Sequence, residues 1–473
     1  MTHHAPLSLL FAFLAACHAA TPTTQQSQRD QRPPNVVLVF TDDQGYGDLS
    51  CFGHPTILTP HIDALAAGGA KLTQFYVASP VCSPSRAALL TGCYPKRVGM
   101  QRHVIFPGYD YGLHTAEITL ADMLRAEGYA TGCFGKWHLG HRPGLLPLDQ
   151  GFDVYFGVPY SNDMSLFHRE PDSNYGFRLP LIEGNQVIEW EPDQGLLTRR
   201  FTEAAVTFIE EHAAEPFFVY LPHAMPHIPL AASPQIEGRS ARGLYGDVIE
   251  EIDWSVGQIQ SALERLGLLQ DTLLIFTSDN GPWLDYELQG GSAGLLRGGK
   301  GSNWEGGQRV PCIVSWPGRI PAGSIVRDVV TAMDVLPTVA ALVSADLSTD
   351  RVIDGHDVSE LLMGVPGATS PTEQFLYYSS QGDLAGIRRG PWKLLFDPLE
   401  LYQIEHDVSE QWDLAQQNEG LVSELTALAR KLDAQITADA RPTLTVAELA
   451  FDPRRPPPEQ EPGSEPGPGP EQR

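Results

Sequence analysis

The chain has little with which to cross a membrane, to cross-link itself or to bind nucleic acid. Beyond the apolar run Leu7–Ala16 no hydrophobic stretch is long enough to span a bilayer, and that run is itself too short. Cysteine is scarce. Leaving Cys17 aside, five remain, Cys51, Cys82, Cys93, Cys133 and Cys312, an odd number without metal-ligand spacing, which excludes a disulfide framework. Positive charge is also short: 32 Lys and Arg face 58 Asp and Glu, the formal net charge is −26, and no Lys/Arg-rich run occurs, so no nucleic acid partner is expected. Net charge governs solubility and steering more than local chemistry, and an acidic protein can still enclose a basic pocket.

What is present is apolar material for a large core, 42% of 473 residues. Residues 1–20, MTHHAPLSLLFAFLAACHAA, read as an export signal: a short apolar run, small residues, then polar sequence. The tetrad Leu14-Ala15-Ala16-Cys17 has the form of a lipobox, which makes Cys17 a candidate lipidation site; the alternative is ordinary cleavage a few residues later. The expected location is the periplasm or cell envelope, with any membrane anchoring through lipid alone. Residues 21–34 read as a linker, and residues 451–473 as a Pro/Glu-rich tail with almost nothing apolar to bury, expected to be disordered.

Between these ends short apolar runs alternate with helical segments. That is the pattern of an α/β fold, a large mostly parallel central sheet with helices on both faces. NVVLVF (Asn35–Phe40), YATGCFG (Tyr129–Gly135), PFFVYL (Pro216–Leu221), TLLIFTS (Thr272–Ser278) and VPCIVSW (Val310–Trp316) predict buried strands. TPHIDALAAGG, with Thr59 as N-cap and Pro60 in the first turn, TLADMLRAEG and VIEEIDWSVGQIQSALERLG predict helices. This main domain is read as residues 35–345, followed by connecting loops over 346–374. Residues 375–450 form a smaller C-terminal α+β subdomain: FLYYSS, LAGIRRGPWKLLF and LELYQI predict an antiparallel sheet, packed with one helix, LVSELTALARKLDAQI.

Four of the strands run straight into polar residues: Asp42-Asp43, Lys136-Trp137-His138, His223 with His227, and Asp279-Asn280. The carboxyl ends of strands line one crevice in open α/β sheets, so these clusters are expected to converge. Asp42, Asp43, Asp279 and Asn280 offer hard oxygen ligands suited to Ca²⁺ or Mg²⁺ rather than zinc. Arg86, Lys136 and Lys300, the last in a glycine-rich loop, suit an anionic tetrahedral group. His138 and His227 can move protons near neutral pH, and His223 is the weakest of the histidine candidates.

SPVCSPSRAALLTG (Ser79–Gly92) predicts a helix with Ser83 as N-cap, Pro84 in the first helical position and Gly92 as terminator. Cys82 then lies at the positive end of a helix dipole, where anions bind, and Arg86 about one turn on can face the same ligand. A cysteine there is expected to have a lowered pKa and could serve as a thiolate nucleophile, with an inert buried thiol as the alternative. A soft thiolate nevertheless matches a hard-metal site poorly, and an oxygen nucleophile would suit it better.

Cys82-Ser83-Pro84-Ser85-Arg86 followed by AALLTG resembles the C-x-P-S-R signature of the sulfatases, in the alkaline phosphatase-like superfamily. TDDQGYGD (Thr41–Asp48), GKWHLGHRP (Gly135–Pro143), GFDVYFGVPYSND (Gly151–Asp163), HAMPHIP (His223–Pro229), TSDNGP (Thr277–Pro282) and GGKGSNWEGGQRVP (Gly298–Pro311) are similar to that family's other motifs, in its order. LYQIEHDVSEQWDLA is similar to its C-terminal subdomain, and the likeness is greatest to the arylsulfatase A and N-acetylgalactosamine-6-sulfatase branches.

The resemblance implies an enzyme that hydrolyses sulfate esters to an alcohol and inorganic sulfate through a formylglycine-sulfate intermediate. It implies that Cys82 is converted to Cα-formylglycine (3-oxoalanine) by a formylglycine-generating or anaerobic maturation enzyme. It further implies one Ca²⁺ per active site, held by Asp42, Asp43, Asp279, Asn280 and the modified Cys82. Arg86 would hold the formylglycine hydrate, Lys136 and Lys300 would bind sulfate, His227 would sit near the leaving-group oxygen, and Ser161 would contact substrate. In the implied mechanism one hydroxyl of the hydrate attacks sulfur while His227 and Lys300 assist departure of the alcohol. His138 then deprotonates the other hydroxyl, expelling sulfate and regenerating the aldehyde.

Two alternatives stay open: a phosphonate or phosphodiester hydrolase of the same superfamily, and a non-catalytic sulfated-glycan binder with unmodified Cys82. The substrate is expected to be an aryl sulfate or a sulfated glycan or lipid. The loops HVIFPGYDYGLH (His103–His114) and SLFHREPDSNYGFRLP (Ser165–Pro180) are the expected discriminators.

Overall fold

The strand Asn35–Thr41 is apolar from Val36 to Phe40 because both of its faces are covered. The two-residue period of the pleat sends Val36, Leu38 and Phe40 into one hydrophobic cluster and Val37 and Val39 into another. A computed structural model describes residues 1–2, 33–165, 176–347 and 350–454. The expected export signal with Cys17, the linker up to residue 32, most of the loop after Ser165 and the tail beyond Arg454 lie outside the described residues.

In chain order the principal elements are β1 (Asn35–Thr41), α1 (Pro60–Gly68), β2 (Ala70–Tyr76), α2 (Cys82–Thr91), α3 (Leu120–Ala126), β3 (Ala130–Lys136), β4 (Val154–Val158), β5 (Pro180–Glu183), β6 (Gln186–Trp190), α4 (Leu197–Glu211), β7 (Phe217–Pro222), α5 (Leu244–Arg265), β8 (Thr272–Ser278), β9 (Arg309–Ser315), β10 (Ser324–Val326), α6 (Val335–Val343), β11 (Gln374–Tyr378), β12 (Leu384–Arg389), β13 (Trp392–Phe396), β14 (Leu399–Gln403) and α7 (Glu419–Ala438). The large sheet has the order β10-β2-β9-β8-β1-β7-β3-β4-β5-β6, with Val330–Thr331 also pairing with β2. Its centre, β8-β1-β7-β3-β4, is parallel throughout. Helices α2, α3 and α6 contribute to the first cluster and α1, α4 and α5 to the second, so the sheet is covered on both faces as expected.

Two local expectations change, and one strand carries no sequence signal. VPCIVSW forms β9, but that strand runs antiparallel to both β8 and β2, because an apolar run reports burial on two faces and not direction. Strand β2, AKLTQFY, carries no apolar run, since part of it is only half-buried. Helix α2 begins at Cys82 with Val81 as N-cap, so Ser83 lies inside the first turn and is not the cap. The Ser83 hydroxyl instead accepts a hydrogen bond from the Ile105 N–H at 3.0 Å and tethers the following loop. Gly92 ends the helix as expected, in the left-handed region at φ 67°. Thr59 stands at the N-cap of α1 without a side-chain cap bond, its hydroxyl donating to Asp63 at 2.9 Å.

Strands β11 to β14 form a separate four-stranded antiparallel sheet. Leu425, Ala429 and Ile436, spaced along one face of α7, are buried in a cluster with Leu376, Ile387, Leu394 and Leu401. Tyr76 and Ala88 belong to the same cluster, so the two sheets share a core. A buried ionic network joins them as well. Glu305, just before β9, accepts from Lys393 at 3.0 Å, Tyr377 at 3.1 Å and Arg309 at 3.3 Å, and also from Tyr76; Lys393 reaches Glu410 at 2.7 Å.

Burial alone would raise the Glu305 carboxyl, but Lys393, Arg309 and Arg388 outweigh it and hold it down at about 2. A depressed acid stabilises the fold above its ordinary value of 4.5 and loses that contribution as pH falls toward 2. Glu305→Gln therefore leaves buried cations unpaired and is expected to cost about 3–5 kcal/mol at neutral pH. The check is urea unfolding, with the difference from wild type shrinking between pH 4.5 and 2.

Candidate active site

Strands β8, β1, β7 and β3 are contiguous and parallel, so their carboxyl ends share one edge. Asp279 and Asn280, Asp42 and Asp43, His223 and His227, and Lys136 and His138 are delivered there. Backbone bonds lock the edge together: the Asp279 N–H donates to the Thr41 carbonyl at 3.1 Å, His223 to Phe40 at 2.8 Å and Asp42 to Met225 at 3.2 Å. Helix α2 adds Cys82 and Arg86, the segment after β4 adds Ser161, and the glycine-rich loop before β9 adds Lys300.

All of these side chains are buried or nearly so, and they pair by charge. Arg86 donates to Asp279 through Nε at 3.1 Å and Nη2 at 2.8 Å, and to the Lys136 carbonyl at 2.9 Å. Lys136 Nζ lies 2.5 Å from Asp42 Oδ2 and 3.0 Å from Ser161 Oγ. Lys300 Nζ donates to Asp43 Oδ2 at 2.7 Å. The Asp43 N–H donates to Asp279 Oδ1 at 3.0 Å, and Asn280 Nδ2 donates to Asp43 Oδ1 at 2.8 Å.

A hard divalent cation fits these residues. Ligand atoms of Asp42, Asp43, Cys82 and His227 lie within 4.8 Å of one another, and the buried Asn280 Oδ1 has no hydrogen-bond partner. Burial and the neighbouring Asp42 charge push the Asp279 carboxyl up to about 7, despite Arg86. Burial also pushes Asp43 up, against Lys300. Asp42 goes the other way: burial would raise it, but Lys136 with His227, Arg86 and Lys300 holds it well below the usual range. Three carboxylates are thus matched by three cations, Arg86, Lys136 and Lys300, yet burial still holds Asp43 and Asp279 up, so added positive charge would favour their ionised forms. A divalent ion would supply that charge and leave the pocket attractive to an anion.

Of the two readings of Cys82, thiolate at a helix mouth or buried thiol, the second holds. Burial pushes its thiol well above the ordinary value, although Lys136 and Lys300 pull it down, and Sγ donates to Asp42 Oδ1 at 3.5 Å. Desolvation by burial outweighs the pull of the neighbouring cations. The same burial, aided by Lys136 and Arg86, drives His138 well below the usual imidazole range. His138 Nε2 donates to the Ile105 carbonyl at 3.0 Å, which leaves Nδ1 as an unpaired acceptor. Its backbone sits at φ 60°, a left-handed conformation uncommon outside glycine.

His227 is likewise neutral, lowered to about 3 by burial and Lys300. Its Nδ1 donates to the Ile228 carbonyl at 2.5 Å, and Nε2 lies 3.5 Å from Ser161 Oγ. A chain Lys136–Ser161–His227 follows, each group orienting the next. His223 turns away, onto Ser255 of α5 at 3.1 Å.

A cavity of about 310 Å³ opens over the site, lined by Cys82, His138, Ser161, His227 and Lys300. Arg86, Lys136, the three aspartates and Asn280 are not among its lining residues and act through the groups they touch. Sequence reasoning missed several others in the lining. His103 and Phe106 come from the first loop singled out as discriminating; Asp163 closes the GFDVYFGVPYSND motif and Trp283 directly follows TSDNGP, so both carried a signal. Ser380, from the turn between β11 and β12, has no such signal.

A family model described as Sulfatase matches residues 34–345. Arylsulfatase A of Homo sapiens is 40% identical over 412 residues, covering 83% of this chain and 78% of that protein. Steryl-sulfatase of Mus musculus is 38% identical, covering 76% and 69%. Among solved structures, the PsFucS1 sulfatase from Pseudoalteromonas sp. superposes with a TM-score of 0.78 at 25% identity, covering 89% of this chain and 93% of that one. The phosphonate monoester hydrolase of Agrobacterium radiobacter, at 22% identity and a TM-score of 0.62 over 85% of this chain and 96% of its own, shares the fold. The chain belongs to the sulfatase family and is a hydrolase of sulfate esters.

Proposed function

We propose that this enzyme is a Ca²⁺-dependent sulfatase whose nucleophile is formylglycine derived from Cys82. The observation that carries the reading is the neutral, fully buried Cys82 thiol on Asp42, in a pocket built of oxygen ligands and fixed cations. An unmodified thiol held there is a poor nucleophile. The hydrated aldehyde supplies an oxygen nucleophile, and Ca²⁺ the positive charge that favours its ionised form.

Asp42, Asp43, Asp279 and Asn280, with residue 82, would hold the cation; an all-oxygen protein set at a dry site suits Ca²⁺ better than Mg²⁺, which keeps several waters. Arg86 fixes Asp279 and the end of β3, which keeps the ligand set in register. Lys300, kept protonated by Asp43 against burial, lines the cavity and stabilises negative charge on the sulfuryl group and the departing oxygen. Lys136 orients Ser161, and through it His227, toward the same oxygen. His138 offers its Nδ1 lone pair as the base for the second hydroxyl.

The proposal includes a formylglycine-generating or anaerobic maturation enzyme as a partner. It also includes export to the periplasm or cell envelope, with Cys17 as the lipid attachment point, a reading carried by the first 20 residues.

Mass spectrometry of the tryptic peptide bearing residue 82 is expected to show CHO in place of CH₂SH. Cys82→Ala is expected to lower kcat on an aryl sulfate about a thousandfold or more, and undiminished hydrolysis would sink the reading. Lys300→Ala should cost about a hundredfold in kcat/KM. Removal of bound metal by EGTA should abolish turnover, with Ca²⁺ restoring it better than Mg²⁺ in a steady-state assay; equal rescue by Mg²⁺ would count against the assigned ion.

A further inference from the structure

The loop that carries Lys300 has little stiffness of its own. Gly298, Gly299 and Gly301 surround the lysine, and Gly298 and Gly301 stand in the left-handed region at φ 71° and 80°. A fixed charge stabilises a transition state only where it is held, and a displacement of about an ångström can cost on the order of a hundredfold in rate. The tip of the loop is tied to the main domain: the Lys300 N–H donates to the Pro282 carbonyl and the Gly301 N–H to the Pro80 carbonyl, both at 2.9 Å. Its neck closes on itself, the Gly306 N–H donating to the Arg297 carbonyl at 2.7 Å.

What holds that neck comes from the C-terminal subdomain, a few residues beyond β14. Ser409 Oγ donates to the Leu295 carbonyl at 2.6 Å. The Glu410 carbonyl accepts from Arg297 Nη1 at 3.0 Å; the same nitrogen donates to the Tyr402 hydroxyl at 2.9 Å, and the guanidinium lies 4.0 Å from the Trp304 ring centroid. The Glu410 carboxylate accepts from the Glu305 N–H at 2.7 Å through Oε2, while Oε1 meets Lys393 at 2.7 Å. One residue thus grips both the entry and the exit of the Lys300 loop. Glu410 is 1% exposed and sits at φ 51°, a strained conformation for a residue other than glycine, which persists where the surrounding contacts over-determine it.

We propose that Glu410 is a positioning residue for Lys300, holding Arg297 with its carbonyl and Glu305 with its carboxylate, an inference that rests on the sulfatase reading and adds a residue of the C-terminal subdomain to its machinery. The ion pair with Asp43 at 2.7 Å anchors the ammonium to one carboxylate, and the neck decides where the backbone beneath it stands. The competing role for Glu410 is charge compensation alone, as one of two carboxylates on the buried Lys393.

The test separates the two roles by leaving-group dependence. kcat and kcat/KM are measured on aryl sulfates whose phenols span several pKa units, with formylglycine-bearing enzyme. Glu410→Asp keeps a charge beside Lys393 but is one methylene shorter. It should lower kcat about tenfold on phenols of high pKa and less on nitrophenyl sulfate, whose departing oxygen needs less stabilisation. Glu410→Gln loses the charge, yet its amide oxygen can still accept from the Glu305 N–H, and it should stay within about threefold of wild type throughout. Arg297→Ala, which frees the neck and leaves the Glu410 carboxylate in place, should reproduce the selective loss, so the test survives a Glu410 variant that does not fold.

In a Lys300→Ala background Glu410→Asp should cost less than about twofold, because the group it positions is gone. Asp433→Asn is the control for a loosened subdomain: Asp433 accepts from Lys96 at 2.5 Å and Tyr378 at 2.9 Å, away from the loop, and its loss should lower Tm without changing the dependence on the phenol. The reverse order, with Glu410→Gln damaged and Glu410→Asp intact, overturns the proposal. So does a uniform loss on every phenol, or an equal cost of Glu410→Asp with and without Lys300. The sulfatase reading survives each of these. A formylglycine-bearing wild type that hydrolyses no sulfate ester overturns both.

Discussion

Three carboxylates, Asp42, Asp43 and Asp279, are buried side by side at the ends of β1 and β8, and most of the site exists to compensate them. Like charges taken out of water raise one another's pKa, and Asp279 is held up near 7 even with Arg86 on it. Each carboxylate has its own cation: Arg86 for Asp279, Lys136 for Asp42, Lys300 for Asp43. These come from three different parts of the chain, a helix start, a strand end and a glycine-rich loop, so the compensation also pins those parts together. A bound divalent ion would convert this balanced cluster into a positive floor, the electrostatic condition for holding a sulfate ester.

The same burial that makes the carboxylates demanding disarms the ordinary nucleophile and bases. Cys82 stays a thiol and His227 stays neutral because burial disfavours their charged forms. A dry site strengthens fixed charges such as Lys300 and favours a nucleophile whose reactivity does not depend on a stable thiolate. The buried network around Glu305 holds the small sheet against the large one, and so fixes the turn carrying Ser380 at the cavity rim.

Much of this was legible in the residues. NVVLVF, YATGCFG, PFFVYL and TLLIFTS read as buried strands because continuous apolar runs need two covered faces, and the polar residues after them marked the crevice. The C-x-P-S-R stretch pointed to Cys82 and Arg86 together. What could not be read were the half-buried strand β2, the direction of β9 and the cap of α2. Each depends on a neighbour far away in the chain: β9 on β2 and β8, and Ser83 on Ile105. The protonation of Cys82 stayed open between thiolate and buried thiol for a related reason, and burial decides it as the thiol. A helix dipole is visible in sequence, whereas desolvation is not.

The sulfatase family, the parallel core and the inventory of ligands follow from local runs and contiguous motifs, which are written along the chain. The pairing of each carboxylate with its cation, the tautomer of His138 and the presence of Asp163 and Trp283 in the cavity lining come from the folded arrangement. Those depend on which atoms lie within a few ångströms of one another and on how far water is excluded. Neither is written along the chain.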